Sequence, residues 1–368
     1  MNYWDYIRVE QLLALQGGIG DDESKLTNDE VVFITVHQVY ELWFKLALRE
    51  IVQARNVFHQ NPVPDVQLSA AVRSFKRIVT IFEQAASHFK VVETLTTRDY
   101  LEFRDQLIPA SGFQSAQVRE VEVMLGLEDA TRVPLGKQKS FLEALKGEGG
   151  KPSSALVRVQ KRMSDRPTLK EAVYEWLTRT PIYGGSHSEQ GTIDFLRAFL
   201  NAHKKDAEAR MHLAMTAAGS VVDADEIRAR YEREMAAAEA FLFAEDDPAA
   251  DVETKRKRRD VRAAAVFLES YRELPRLAWA REVIDCLLEL EQAIIIWRQR
   301  HARMVERVIG RRVGTGGSSG VDYLDETALR YRVFNDLWGV RALLLRAPIL
   351  PPVEHEEAYR FRVEDKSP

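Results

Sequence analysis

Apolar residues recur at three- and four-residue steps over most of this chain, and segments that alternate with a period of two are scarce. No other feature constrains the fold as strongly, because a helix buries a stripe with a period of about 3.6 residues whereas a half-buried strand buries every second one. The helical stretches run from Val31 to Phe58, Leu68 to Leu95, Leu169 to Leu177, Asp225 to Phe243, Arg262 to Leu274 and Trp279 to Ile309. Together they predict an all-α helical bundle. Thr27, Asn28, Asp29 and Glu30 form a capping box that fixes the start of the first long helix. Gly310 is placed to end the last one as a C′ glycine.

Composition narrows the function classes. With 368 residues and 45% hydrophobic content, the chain can bury a substantial core, and we read it as a single domain over 1–368. A net charge of −4 argues against nucleic acid as a partner. The basic run Lys255 to Arg259 follows the acidic AEDDPAADVE and reads as a solvated, mixed-charge linker. It lies in a charged helical excursion at 201–260, rich in Ala, Glu, Arg and Lys. The single cysteine, Cys286, sits in an apolar helical stretch and fits a reducing compartment. The N-terminus lacks the basic and apolar regions of a signal peptide, and no uninterrupted apolar run reaches membrane-spanning length. A cytoplasmic protein without a membrane partner is expected. Prolines and mixed charge point to disorder in the tail at 354–368.

Three constellations carry candidate chemistry. In the first, His301 shares a helix face with Leu290, Ile294, Trp297, Val305 and Val308, so its imidazole points inward. A buried histidine needs partners for its ring nitrogens; a protein hydrogen bond and a metal ion both satisfy that need. The glycine-rich GTGGSSG, Gly314 to Gly320, follows closely. It lacks the lysine and spacing of a phosphate loop, which leaves a plain linker or a lid offering the hydroxyls of Thr315, Ser318 and Ser319.

The second constellation is Phe33, His37, Tyr40 and Phe44, spaced to put an imidazole in the middle of an aromatic face. It reads either as a core histidine bonded to a carbonyl or as the wall of a pocket for a flat apolar ligand. In the third, Tyr100 and Arg104 stand one turn apart before Pro109 and a small-residue turn with Ser111. An arginine among aromatic residues needs an anion, from Asp99 or Asp105 or from a ligand carboxylate.

These segments resemble the tryptophan 2,3-dioxygenase family. The matching motifs are YxxY(I/L)xxxxLL at Tyr3 to Leu13, FIxxHQxYELWFK at Phe33 to Lys45, ETLTxxxYxxFRDxLxPASGFQS at Glu93 to Ser115, and WRxRHxxxVxRxIGxxxGTGGSSGVxYL at Trp297 to Leu324. The match covers nearly the whole chain, and WLTRTP at Trp176 and RYRVFNDL at Arg330 are similar to the longer, animal-type members.

The resemblance implies a haem b cofactor with O2 as co-substrate, His301 as the axial ligand of the iron, and His37 as the distal histidine facing the indole N–H. It further implies that Phe33 packs on the indole, that Arg104 with Tyr100 holds the substrate carboxylate, that Thr315 meets the ammonium, and that Ser111 lies at the haem edge. Family members form homotetramers in which the N-terminal segment enters a neighbour's site, which assigns Tyr3, Tyr6 and Ile7 there; Ile7 replaces a frequent leucine. The implied reaction is oxidative cleavage of the indole C2–C3 bond of L-tryptophan to N-formylkynurenine, the entry to the kynurenine pathway. A related haem enzyme acting on a modified tryptophan and a non-enzymatic haem-binding helical protein are the alternatives. Animal members carry a second tryptophan site. Trp176, Arg179 and Pro181 are similar to part of it, but the loop Asn61 to Gln67 lacks the arginine expected opposite.

Overall fold

The computed structural model describes residues 1–107, 114–134, 140–147, 150–182, 188–218, 224–312 and 320–361. Among these the regular structure is all helical, with one isolated bridge between Lys146 and Pro152. The α-helices are α1 (Tyr3–Tyr6), α2 (Val9–Leu13), α3 (Asn28–Phe58), α4 (Asp65–Val92), α5 (Thr97–Arg104), α6 (Ala116–Leu125) and α7 (Ser154–Met163). They continue as α8 (Leu169–Leu177), α9 (Glu189–Ala218), α10 (Ala224–Leu242), α11 (Val252–Ser270), α12 (Ala278–Ile309), α13 (Val321–Arg330) and α14 (Asn335–Arg341). The all-α expectation holds. The local signals act as the sequence implies: Thr27 Oγ1 accepts the Glu30 N–H at 3.2 Å. Gly310 adopts φ 64° and returns its N–H to Glu306 O at 2.9 Å.

Contacts divide the chain into two compact units. The first comprises 1–54, 73–169 and 289–333. Its core is an aromatic cluster in which Trp297 of α12 meets Phe44 of α3 at 5.5 Å and Phe82 and Phe89 of α4 at 5.8 and 6.2 Å. Phe44, Phe82 and Phe89 are buried, each contributing about 1.5–3 kcal/mol through area removed from water. By length and composition alone α3 is apolar enough to cross a membrane. Within this unit, however, Glu41 is bonded to Ser115 and Gln117, and Glu50 pairs with Arg77, the pattern of a packing helix.

The second unit comprises 55–72, 170–288 and 334–368. Here α9 packs on α10 and α11, and Phe267 of α11 meets Phe195 at 5.5 Å and Tyr271 at 5.1 Å. The basic run 255–259 is not a linker. It forms part of α11, whose N-cap Asp251 accepts the Thr254 N–H at 2.9 Å. Its cations are taken up locally: Lys255 by Glu245 at 2.6 Å, Arg258 by Asp247 at 2.8 Å and Arg259 by Glu189 at 2.9 Å. Pairing with the preceding acidic segment removes the repulsion that would have kept the run extended. In the tail, Glu356–Tyr359 forms a 3-10 turn with Tyr359 buried, and residues 362–368 lie outside those described.

Candidate functional site

Two helices of the first unit bring the second and third constellations together. Helix α5 is nucleated by Thr96, whose Oγ1 accepts the Asp99 N–H at 3.2 Å and donates to Asp99 Oδ2 at 2.5 Å. That cap sets the register that turns Tyr100 and Phe103 toward Phe33 of α3, with Arg104 bonded to the Tyr100 hydroxyl. The Phe33 ring meets His37 at 4.1 Å, tilted by 38°, and lies 5.9 Å from Tyr100 and 5.6 Å from Phe103. Tyr100 is buried, and burial raises the pKa of its phenol even though the Arg104 guanidinium beside it, bonded to the hydroxyl, acts the other way.

His37 has a defined tautomer. Its Nδ1 lies 2.7 Å from the carbonyl oxygen of Phe33. A carbonyl only accepts, so Nδ1 carries the hydrogen and, in the neutral ring, Nε2 holds a lone pair. Burial lowers the His37 pKa, which keeps the ring in that neutral form. Among the described residues no hydrogen-bond partner meets Nε2.

His37 and His301 line one cavity of about 200 Å³, shared with Glu41, Ser115, Arg119 and Arg298 among others. The His301 ring lies parallel to Phe89 at 5.3 Å and 5.7 Å from Trp297. Its pKa is pushed down to about 3, chiefly by burial and then by the nearby His37 and Arg298. A neutral imidazole with no hydrogen-bond partner among the described residues is in the state a metal requires of it. No group of three or more His, Cys, Asp or Glu among the described residues could cage a bare ion. Such a ring, without further ligating side chains among the described residues, suits a metal that carries its other ligands with it, as in a haem.

The rest of the wall fits that group. Arg119 and Arg298 are buried, and their carboxylate partner, Glu122, also holds Arg132. Burial works to raise the Glu122 pKa, but the three guanidiniums outweigh it and hold the carboxyl well below the usual range. With Glu41 also on the wall, three guanidiniums stand beside two carboxylates here, an excess of one positive charge that suits the carboxylates of a haem. Tyr40 Oη, Trp297 Nε1 and Arg298 Nε are buried without a hydrogen-bond partner. Orphaned polar atoms of this kind mark a place where a polar occupant is missing from the count. The cavity's 200 Å³ is below the roughly 300–1,000 Å³ usual for small-molecule sites, so uptake of a macrocycle requires lining side chains to move.

Ser111 and Thr315 lie outside the described residues, as do Ser318 and Ser319. Tyr3, Tyr6 and Ile7 occupy α1 and its C-cap and are exposed, contributing nothing to the cavity of their own chain. Arg179 donates to Asn61 Oδ1 at 2.5 Å and Trp176 packs on Phe58 at 5.1 Å, so the loop that lacks the arginine is bonded to Arg179 through an asparagine instead.

Several lining residues escaped the sequence reading. Ser115 caps α6 and donates to Glu41 Oε1 at 2.6 Å, while Gln117 donates to Glu41 Oε2 at 2.7 Å, tying α6 to the helix of His37. Glu41, Ser115, Arg298 and Tyr323 all fall inside the four motif segments, which was a signal. Phe89 and Arg119 fall outside them, as does Glu122, which stands behind the wall.

The model of the tryptophan 2,3-dioxygenase family matches residues 1–344. A tryptophan 2,3-dioxygenase of Sorangium cellulosum is 65% identical, over 99% of this chain and 88% of its own length. A tryptophan 2,3-dioxygenase 2 of Ralstonia nicotianae is 54% identical, over 99% of this chain and 98% of its own. The Xenopus laevis tryptophan 2,3-dioxygenase is 33% identical, over 99% and 88% respectively. With its helices, its two histidines on one cavity and these near-full-length matches, the chain belongs to the tryptophan 2,3-dioxygenase family.

Proposed function

We propose that this chain is a cytoplasmic, haem b-dependent dioxygenase, a single domain over 1–368, that inserts both atoms of O2 across the indole C2–C3 bond of L-tryptophan to give N-formylkynurenine. The observation that carries the reading is the pair of neutral histidines on one cavity, each with a ring nitrogen that no described residue meets. When bound, a haem would supply the iron at which O2 is activated, and His301 would be the residue that holds that iron. His37 Nε2 accepts the indole N–H, because its other nitrogen is committed to the Phe33 carbonyl. Phe33 offers the indole a flat apolar ring, and Tyr100, 5.9 Å from Phe33 and bonded to Arg104, holds the amino-acid carboxylate together with that arginine.

Thr315 and Ser111 complete the site at the ammonium and the haem edge. The exposed Tyr3, Tyr6 and Ile7 support assembly into a homotetramer in which this segment enters a neighbour's site. The test is product analysis. The haem-loaded, reduced protein is given L-tryptophan under 18O2, and mass spectrometry is expected to find two labelled oxygens in one product; a single labelled oxygen, or no tryptophan-dependent O2 uptake, overturns the proposal.

A further inference from the structure

We propose that Glu122 is a positioning residue for this reaction: one buried carboxylate that anchors the arginine one turn before His301 and sets the net charge of the cavity wall. The inference rests on the haem reading above and deepens it.

Glu122 Oε1 accepts Arg298 Nη2 at 2.6 Å, and its Oε2 accepts Arg119 Nη1 at 3.0 Å and Arg132 Nη1 at 2.7 Å. Its side chain is 4% exposed. A carboxylate has about four acceptor positions, so the three guanidiniums, with Arg119 Nη1 also 3.2 Å from Oε1, occupy them all. Arg119 and Arg298 line the cavity, whereas Glu122 and Arg132 stand behind them.

Arg298 and His301 are one turn apart on α12, so fixing the first restrains rotation of the turn that carries the second. Glu122 belongs to α6, and α6 is also bonded to the helix of His37 through Ser115 and Gln117. The two histidines are thus referenced to one short helix. Tyr331 backs the Arg298 guanidinium at 4.7 Å, and Arg119 Nη2 donates to Tyr323 Oη at 3.1 Å, which leaves Glu122 as the shared anion.

The charge count follows. Three guanidiniums meet one fully buried carboxylate, with Glu41 a second, half-buried carboxylate on the wall; Asp129, which takes Arg132 Nε at 3.0 Å, has a side chain 76% exposed and is screened by water. Replacing Glu122 by glutamine adds one positive charge to the wall, and replacing Arg132 by methionine removes one, with neither residue lining the cavity. A positive wall favours the ferrous over the ferric state, so the two variants should displace that equilibrium in opposite directions.

The experiment loads wild type, Glu122→Gln, Arg132→Met and the double variant with haem. It records the ferric–ferrous equilibrium spectroelectrochemically without substrate. At the wild-type midpoint potential the ferrous-to-ferric ratio is expected to rise several-fold, up to about tenfold, in Glu122→Gln and to fall by a similar factor in Arg132→Met. It should return close to the wild-type value in the double variant. Haem transfer to apomyoglobin is expected to be faster in Glu122→Gln, where Arg298 loses its anchor.

Unchanged ratios in both single variants, or shifts of the same sign, overturn the proposal and leave Glu122 a packing residue. Should Glu122→Gln fail to fold, Arg132→Met decides alone: a fall in the ratio upholds the proposal and no change overturns it. A wild-type chain that takes up no haem overturns the functional reading, and this inference with it, an outcome visible in the absorption spectrum before any potential is applied.

Discussion

Truncating Arg104 tests the substrate pose most directly. In the proposed complex its guanidinium forks the amino-acid carboxylate while also bonding the Tyr100 hydroxyl. Removing one partner of a fully desolvated charge pair costs about 2–5 kcal/mol. Arg104 is only half-buried, so solvent screening places the loss toward the lower end, about 2–3 kcal/mol, or roughly a 30- to 150-fold rise in the dissociation constant for tryptophan. Arg104→Ala should leave haem content unchanged, since Arg104 is not among the residues lining the His301 cavity. The assay is equilibrium titration of the haem-loaded variant with L-tryptophan and, in parallel, with tryptamine, which keeps the indole and the amine but lacks the carboxylate. Tryptamine binding should scarcely change. Equal weakening of both ligands, or an unfolded variant, would show that Arg104 is a structural residue of α5 and that the pose is wrong.

His301→Ala is expected to lose stable haem binding while far-UV circular dichroism stays helical, because α12 is held by its apolar stripe; a histidine-ligated haem spectrum in the variant would refute the ligand assignment. His37→Ala should keep haem and lose turnover moderately, by about 0.5–1.5 kcal/mol for one hydrogen bond to a neutral N–H; complete inactivity with tryptophan still bound would point to an essential proton transfer instead. Acid should destabilise the haem-free protein. The His301 pKa is about 3 when folded and about 6.5 when unfolded, so between these values the unfolded chain binds more protons and stability falls as pH falls. Urea midpoints of the haem-free wild type should therefore drop from pH 7.5 to pH 5 more than those of His301→Gln, and parallel profiles would contradict the burial of a neutral ring. Finally, because the cavity's 200 Å³ is small for a macrocycle, haem uptake should change the near-UV circular dichroism of the aromatic cluster around Trp297.

Most of the long helices were legible because each presents one apolar stripe to a core; α9, Glu189–Ala218, was not read as a helix of its own, its second half being taken into the charged excursion at 201–260. For Leu169–Leu177 the periodicity gave both ends as observed. Helix α6 was not legible: in VREVEV, apolar and charged residues alternate with a period near two, which resembles a strand. What makes it a helix is local and tertiary together. Ser115 accepts the Val118 N–H, and Gly126, at φ 103°, closes the last turn. The charged positions Arg119, Glu120 and Glu122 are all buried, paired with arginines and a glutamate from its own turn and from distant segments. A charge that is buried by its partner reads as surface until that partner is known. The run at 255–259 failed as a linker for the same reason, since its acidic partners at 245 and 247 are joined to it by the fold.

The site shows the same division. Phe33, His37, Tyr100 and Arg104 were legible because their spacing on two helices already placed a polar group among aromatic ones, a conflict that calls for a ligand or an internal bond. The structure gives His37 such a bond through Nδ1 and leaves Nε2 unbonded, so the core-histidine and pocket-wall readings are both met by one ring. His301 differs: its own face is apolar, and its surroundings lower its pKa without supplying a hydrogen bond. Its surroundings therefore favour the neutral ring, which keeps a lone pair available to bind. Two neutral rings on one cavity, each with a nitrogen that no described residue meets, are arranged for an occupant that supplies the missing partners.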